Sequence, residues 1–132
     1  MKPGPPYEAI GEEGVRSVLR VLYDRLFEDP IVGFLFEGKD KGHIVESQVP
    51  LTCSFLGGPQ RYGGKPLPEA HANLPLLAGH FDRRHHLLEQ VLVELQVPEH
   101  VRTAWLRFDR ALRPSVLSAG EEARARTREH ER

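Results

Sequence analysis

The sequence predicts an all-α protein. Three observations carry that prediction. Apolar residues recur at three- and four-residue spacing over four long stretches. No period-two alternation persists anywhere in the chain. Glycine and proline gather between the second and third stretches, where they leave one long irregular segment. Four helices are therefore expected to pack in two layers around a single core, as a chain of 132 residues allows. A structureless stretch of that length inside one domain is usually functional.

The first long helix is expected over about 11–28, with Val15, Val18, Leu19, Leu22 and Leu26 at helical spacing. Asp29-Pro30 ends it, because the residue before proline avoids the α region. The apolar corner 31–36 reads as one helical turn, and 37–42 as a polar turn. A second helix is expected over about 41–56, with Ile44, Gln48, Leu51 and Phe55 on one stripe. Pro50 costs such a helix roughly 3 kcal/mol, so a kink is expected near it. Gly57-Gly58-Pro59 stops it. The third helix is expected over about 78–96, with Phe81, His85, Leu88, Leu92 and Leu95 on one face. The fourth is expected over about 98–117, with Pro98 in its first turn and Val101, Trp105, Phe108 and Leu112 buried. The domain is expected to span 7–118. A flexible Pro-rich lead, 1–6, precedes it, and a charged tail, 119–132, follows it.

Composition removes several function classes. Lys plus Arg number 18 against 19 Asp plus Glu, so the basic footprint of a nucleic-acid binder is missing. The single cysteine, Cys53, excludes an internal disulfide and a thiolate zinc site, and reads as a small buried apolar residue. No apolar run approaches the ~20 residues that span a bilayer. The N-terminus shows no apolar signal core, so a cytoplasmic location is the default expectation. There is no nucleophile elbow and no phosphate-binding Gly-Lys-Ser/Thr loop.

The most informative segment is Gly57-Gly58-Pro59-Gln60-Arg61-Tyr62-Gly63-Gly64-Lys65-Pro66-Leu67-Pro68-Glu69-Ala70-His71. It delivers one imidazole between two helical regions, with small Ala70 and Ala72 beside it. A neutral imidazole so presented can approach a flat cofactor closely and is a good axial ligand for haem iron. Two polar residues gain meaning beside it. Tyr23 lies four after Leu19 and three before Leu26, and Gln48 lies four after Ile44 and three before Leu51. Both sit on inward faces, where an unpaired polar group costs roughly 1–3 kcal/mol. Two readings stand at this point. Either each bonds a backbone carbonyl or the other, or both reach a common ligand in a cavity. Bound dioxygen carries partial negative charge, which neutral donors stabilise.

The remaining histidines are less telling. His80, His85 and His86 cluster at the start of the third helix, but no cysteine or suitably spaced carboxylate set supports a metal role. His43, one position before Ile44, points sideways to solvent or to a cofactor edge, and is a candidate second axial ligand. His100 and His130 read as surface residues, and Trp105 as core.

The order of these features resembles the truncated haemoglobins, the shortened two-over-two helical globins, and most closely their group I. The resemblance rests on Tyr7-Glu8-Ala9-Ile10-Gly11, Leu22-Tyr23-Asp24-Arg25, Asp29-Pro30, Phe34-Leu35-Phe36-Glu37-Gly38 and Gln48-Val49. Its most specific part runs from Leu56 to His71, ending Glu69-Ala70-His71-Ala72. It implies a two-over-two helical sandwich around haem b (iron protoporphyrin IX), with His71 as the proximal iron ligand. Tyr23 would be the distal phenol, Gln48 the second distal donor and Ile44 the gate. Phe36 would pack on the haem face and Tyr62 would contact a propionate.

Departures from the family pattern are informative. Gly11 is followed by Glu12 rather than by a second glycine, and Pro50 falls two residues after Gln48. Arg84 and His85 stand where apolar residues usually line the pocket, which makes the pocket polar or sets a charge at its rim.

The resemblance implies reversible binding of dioxygen, nitric oxide or carbon monoxide, by a monomer or weak dimer. Nitric oxide dioxygenation is the chemical extension. It needs a separate reductase, because the chain has no flavin or nicotinamide motif. A bis-histidyl haem sensor or redox protein using His43 is the alternative, and a helical interaction module without cofactor is a third.

Overall fold

The computed structural model describes residues 4–63 and 76–117. Helix α1 covers Pro6–Glu28, a 3-10 turn covers Gly33–Phe36, and α2 covers Lys41–Phe55. Helix α3 covers Ala78–Glu94 and α4 covers Glu99–Ala111. After a break at Leu112 the chain is helical again over 113–117. There is no strand among the described residues.

Helix α1 starts earlier than its apolar periodicity suggests. Its first turn ends at Gly11, whose φ of 69° lies in the left-handed region that glycine enters without steric cost. The sequence boundary near 11 was thus a kink and not an end. Tyr7 donates its backbone N–H to the Leu56 carbonyl at 2.9 Å, which ties the short first turn to the end of α2. Val15, Val18, Leu19, Leu22, Tyr23 and Leu26 are buried, as the spacing predicts. Asp29 takes extended backbone angles and stops the helix before Pro30.

Helix α2 begins at Asp40, whose carboxylate accepts the His43 backbone N–H at 3.1 Å. It runs unbroken through Pro50. The carbonyl that loses its partner there belongs to Glu46, an exposed residue, so water can satisfy it. The expected stripe proves to be one of two inward faces. Val45, Val49, Thr52 and Cys53 are buried, and α2 packs on α1. Ile44, Gln48 and Leu51 instead line a cavity. Phe55 is 58% exposed and stacks on Phe108, with ring centroids 3.9 Å apart. Cys53 is fully buried, and burial pushes its thiol up to about 11.

Helix α3 buries Phe81, Leu87, Leu88, Val91 and Leu92. It ends two residues earlier than expected, and Leu95 is 43% exposed. Gln96 takes φ 56°, and its own amide and the next one turn back. Gln96 N–H donates to Val93 O at 3.0 Å and Val97 N–H to Leu92 O at 3.1 Å, a Schellman cap made without glycine. Pro98 caps α4 from outside rather than sitting in its first turn. Helix α4 buries Val101, Trp105, Phe108 and also Asp109. Helices α3 and α4 pack on each other, and α1 crosses to both.

Candidate functional site

The helices leave a cavity of about 280 Å³ between them. Leu26, Val32, Leu35, Phe36, Leu51, Phe81, Trp105, Phe108, Leu112 and Val116 make it largely apolar. A polar cluster stands on one wall, made by Tyr23 of α1, Gln48 of α2 and Arg84 of α3. Lys39, Tyr62, His80 and Asp109 also line the space.

Helical spacing brings the cluster together. Tyr23 is buried beside Leu22 and Leu26, and its ring meets Phe36 edge-on at 5.8 Å. Phe36 is held in turn by stacking on Phe27 at 4.9 Å. Gln48 donates through Nε2 to the Tyr23 hydroxyl oxygen. Arg84 Nη2 reaches the same oxygen at 3.5 Å and Gln48 Oε1 at 3.4 Å. The Tyr23 oxygen therefore faces two donors, and its own proton is available to a third group.

Arg84 is anchored from behind. Its Nη1 donates to Asp109 Oδ1 at 2.5 Å. His85 Nδ1 bonds the other carboxylate oxygen at 2.8 Å. Arg110 Nη2 lies 3.4 Å from His85 Nε2. An imidazole N–H at Nδ1 would donate to the Asp109 carboxylate, which can only accept. Burial pushes the Asp109 carboxyl up, but the Arg84 guanidinium and the His85 hydrogen bond outweigh it and hold it below the usual range. Burial pulls Arg84 down, yet the Asp109 carboxylate and the Tyr23 oxygen outweigh that and raise it further above its already high value. Arg84 is thus a permanent cation whose side chain is only 20% exposed.

The structure brings Tyr23, Phe36, Ile44, Gln48 and Tyr62 onto one cavity. His71, the metal ligand expected from the sequence, lies outside the described residues. His43 is exposed and does not line the cavity. His85 turns to Asp109, and His86 is exposed. Among the described residues no three His, Cys, Asp or Glu side chains converge as a metal site.

Several lining residues were not expected on the cavity, His80, Lys39 and Asp109 among them. His80 accepts the Leu77 backbone N–H at Nδ1 at 3.0 Å and packs edge-on to Phe34. Lys39 sat in a polar turn that gave no signal. Asp109 did carry a signal, four residues after Trp105 and one after Phe108, because an inward carboxylate needs a partner.

The family model described as bacterial-like globin matches residues 6–118. A group 1 truncated hemoglobin of Tetrahymena pyriformis is 33% identical over 101 residues, which is 76% of this chain and 84% of that protein. One from Nostoc commune is 30% identical over 95 residues, 71% of this chain and 80% of that protein. The solved structure of truncated hemoglobin from Tetrahymena pyriformis in its Fe(III) form superposes with a TM-score of 0.76 at 28% identity. It covers 84% of this chain and 96% of that one. The 2/2 hemoglobin of Synechococcus sp. PCC 7002, solved with covalently attached heme, shares the fold. Its TM-score is 0.81 at 24% identity, over 87% of this chain and 99% of that one. The helical fold agrees with these likenesses, and the chain belongs to the bacterial-like globins, among the group 1 truncated hemoglobins.

Proposed function

We propose that this chain is a haem protein that binds dioxygen and related diatomic ligands in the cavity between its helices. The observation that carries the reading is the Tyr23–Gln48 pair on the wall of an otherwise apolar space. The lining suits the group. Aromatic and aliphatic side chains offer flat apolar contact, while Lys39 and Tyr62 offer a cation and a phenol to carboxylates. His71 is the residue proposed to hold the iron. Phe36 is proposed to pack on the haem face and Ile44 to stand at the gate.

When bound, haem supplies an iron that coordinates the diatomic ligand. The chain supplies the surroundings. Tyr23 keeps one proton to donate, because Gln48 and Arg84 already approach its oxygen as donors. That proton stabilises a ligand oxygen as it gains negative charge, and apolar walls such as Trp105 and Phe108 keep bulk water from competing. Such a wall slows dioxygen release. It favours scavenging or nitric oxide dioxygenation, with electrons from a separate reductase, over bulk transport. The bis-histidyl alternative gains no support, since His43 faces solvent.

Tyr23→Phe removes the donor and leaves the ring. Dioxygen dissociation from the ferrous protein, followed by stopped flow, is expected to speed up about tenfold or more, the value of one lost hydrogen bond of ~1.4 kcal/mol. Release no faster than in the parent would rule out that role for Tyr23.

A further inference from the structure

Arg84 brings a full charge to a wall whose other donors, Tyr23 and Gln48, are neutral. A guanidinium on an apolar cavity wall is costly unless it is paired, and here a chain of groups pairs it. Exposed Arg110 lies 3.4 Å from His85, His85 bonds Asp109, and Asp109 holds Arg84 Nη1. The two ends of the guanidinium have different partners: Nη1 is held by Asp109 of α4, which also reaches the cavity lining, and Nη2 meets Tyr23 and Gln48. The guanidinium carbon also lies 5.9 Å from the centre of the Tyr23 ring. The Nη2 end of the Asp109–Arg84 pair therefore meets the two neutral donors, Tyr23 and Gln48. Asp109 itself is 98% buried, so water cannot screen the pair from that side.

We propose that Arg84 is the specificity-determining cation of this cavity, and that it favours small anionic ligands over ligands such as carbon monoxide that carry little charge. The proposal rests on the haem reading, since the anion is held at the iron. Arg84 acts on such a ligand in two ways. Its fixed charge attracts the anion across a low-dielectric space, and its hydrogen bonds to Tyr23 and Gln48 point their remaining donor capacity at it. Neutral carbon monoxide gains little from either.

The test compares two probes on haem-loaded protein. Fluoride binding to the ferric form reads the anion preference, and carbon monoxide binding to the ferrous form reads the neutral reference. Arg84→Met is expected to weaken fluoride binding about tenfold or more, while carbon monoxide affinity stays within about threefold. Arg84→Lys keeps the charge without the fork and should recover part of the lost fluoride affinity. Arg84→Gln keeps a donor without the charge and should match Arg84→Met, which covers the case in which methionine does not fold there.

Fluoride affinity within about twofold of the parent in both uncharged variants overturns the proposal. So do equal losses for fluoride and carbon monoxide, which mark a merely structural arginine. A parent that shows no Soret band after hemin addition overturns the haem reading itself. That failure is seen before any anion is added.

Discussion

Asp29 holds the corner after α1 with one carboxylate. It accepts the backbone N–H groups of Ile31 at 3.0 Å and Val32 at 3.1 Å, and Arg83 Nη2 donates to it at 2.8 Å across 54 residues of chain. The Arg83 hydrogen bond, outweighing burial, holds its carboxyl below the usual range. The folded value is therefore below the unfolded one, near 3.9. The stabilisation is complete above that ordinary value and disappears as pH falls through the folded one. Asp109 acts in the same direction. Asp29→Asn is expected to lose about 1–3 kcal/mol at pH 7 in urea unfolding, and its gap from the parent should shrink below about pH 4. A gap that persists unchanged to about pH 2 would contradict the assignment.

At this scale the sequence was readable where spacing alone decides. Tyr23 and Gln48 sit three and four residues from apolar neighbours, so their inward direction followed, although their mutual hydrogen bond was only one of two readings. Asp29 was readable as a helix stop because Pro30 follows it, but no local pattern points to Arg83. The Arg84–Asp109 pair was half visible, since Arg84 was marked as a charge out of place while its partner lies on another helix.

The elements were readable in existence and order, and their ends were not. Gly11 looked like a boundary because the apolar periodicity starts after it, yet the backbone makes a helical turn before it. Helix α2 presents one face to α1 and another to the cavity, so the stripe through Ile44 and Gln48 could not be told from a core stripe by periodicity. Gln96 ends α3 in a left-handed conformation that sequence rules assign to glycine or asparagine.

Pro50 remains inside α2 at a cost that an exposed Glu46 carbonyl softens but does not remove. Pro50→Ala restores that donor and is expected to raise the unfolding free energy by roughly 1–2 kcal/mol, read as a higher urea midpoint at constant slope. A lower midpoint would mean that the proline ring contributes packing that outweighs the missing hydrogen bond.

As a whole, the molecule spends its interior on two different things. One is the packed core of Val15, Leu22, Leu88, Val91, Leu92 and Val101, which holds the helices together. The other is the lined cavity, whose apolar walls gain contacts only when something flat fills it. Whatever fills it stabilises the fold by mass action, so the protein's thermal stability should be linked to its cofactor. The order of the helices was legible over the described residues. The cavity was legible only through the resemblance, because no single stretch of sequence encloses it.

A haem is proposed to fill this cavity, with His71 as its iron ligand. Optical titration of the parent and of His71→Ala with hemin, followed by reduction and carbon monoxide, tests it most directly. The parent is predicted to take up one hemin per chain and to give a sharp ferrous carbonyl Soret band, while His71→Ala loses tight uptake or regains it only with added imidazole. A parent that stays colourless, or a His71→Ala protein with the parent's spectrum, would contradict the account.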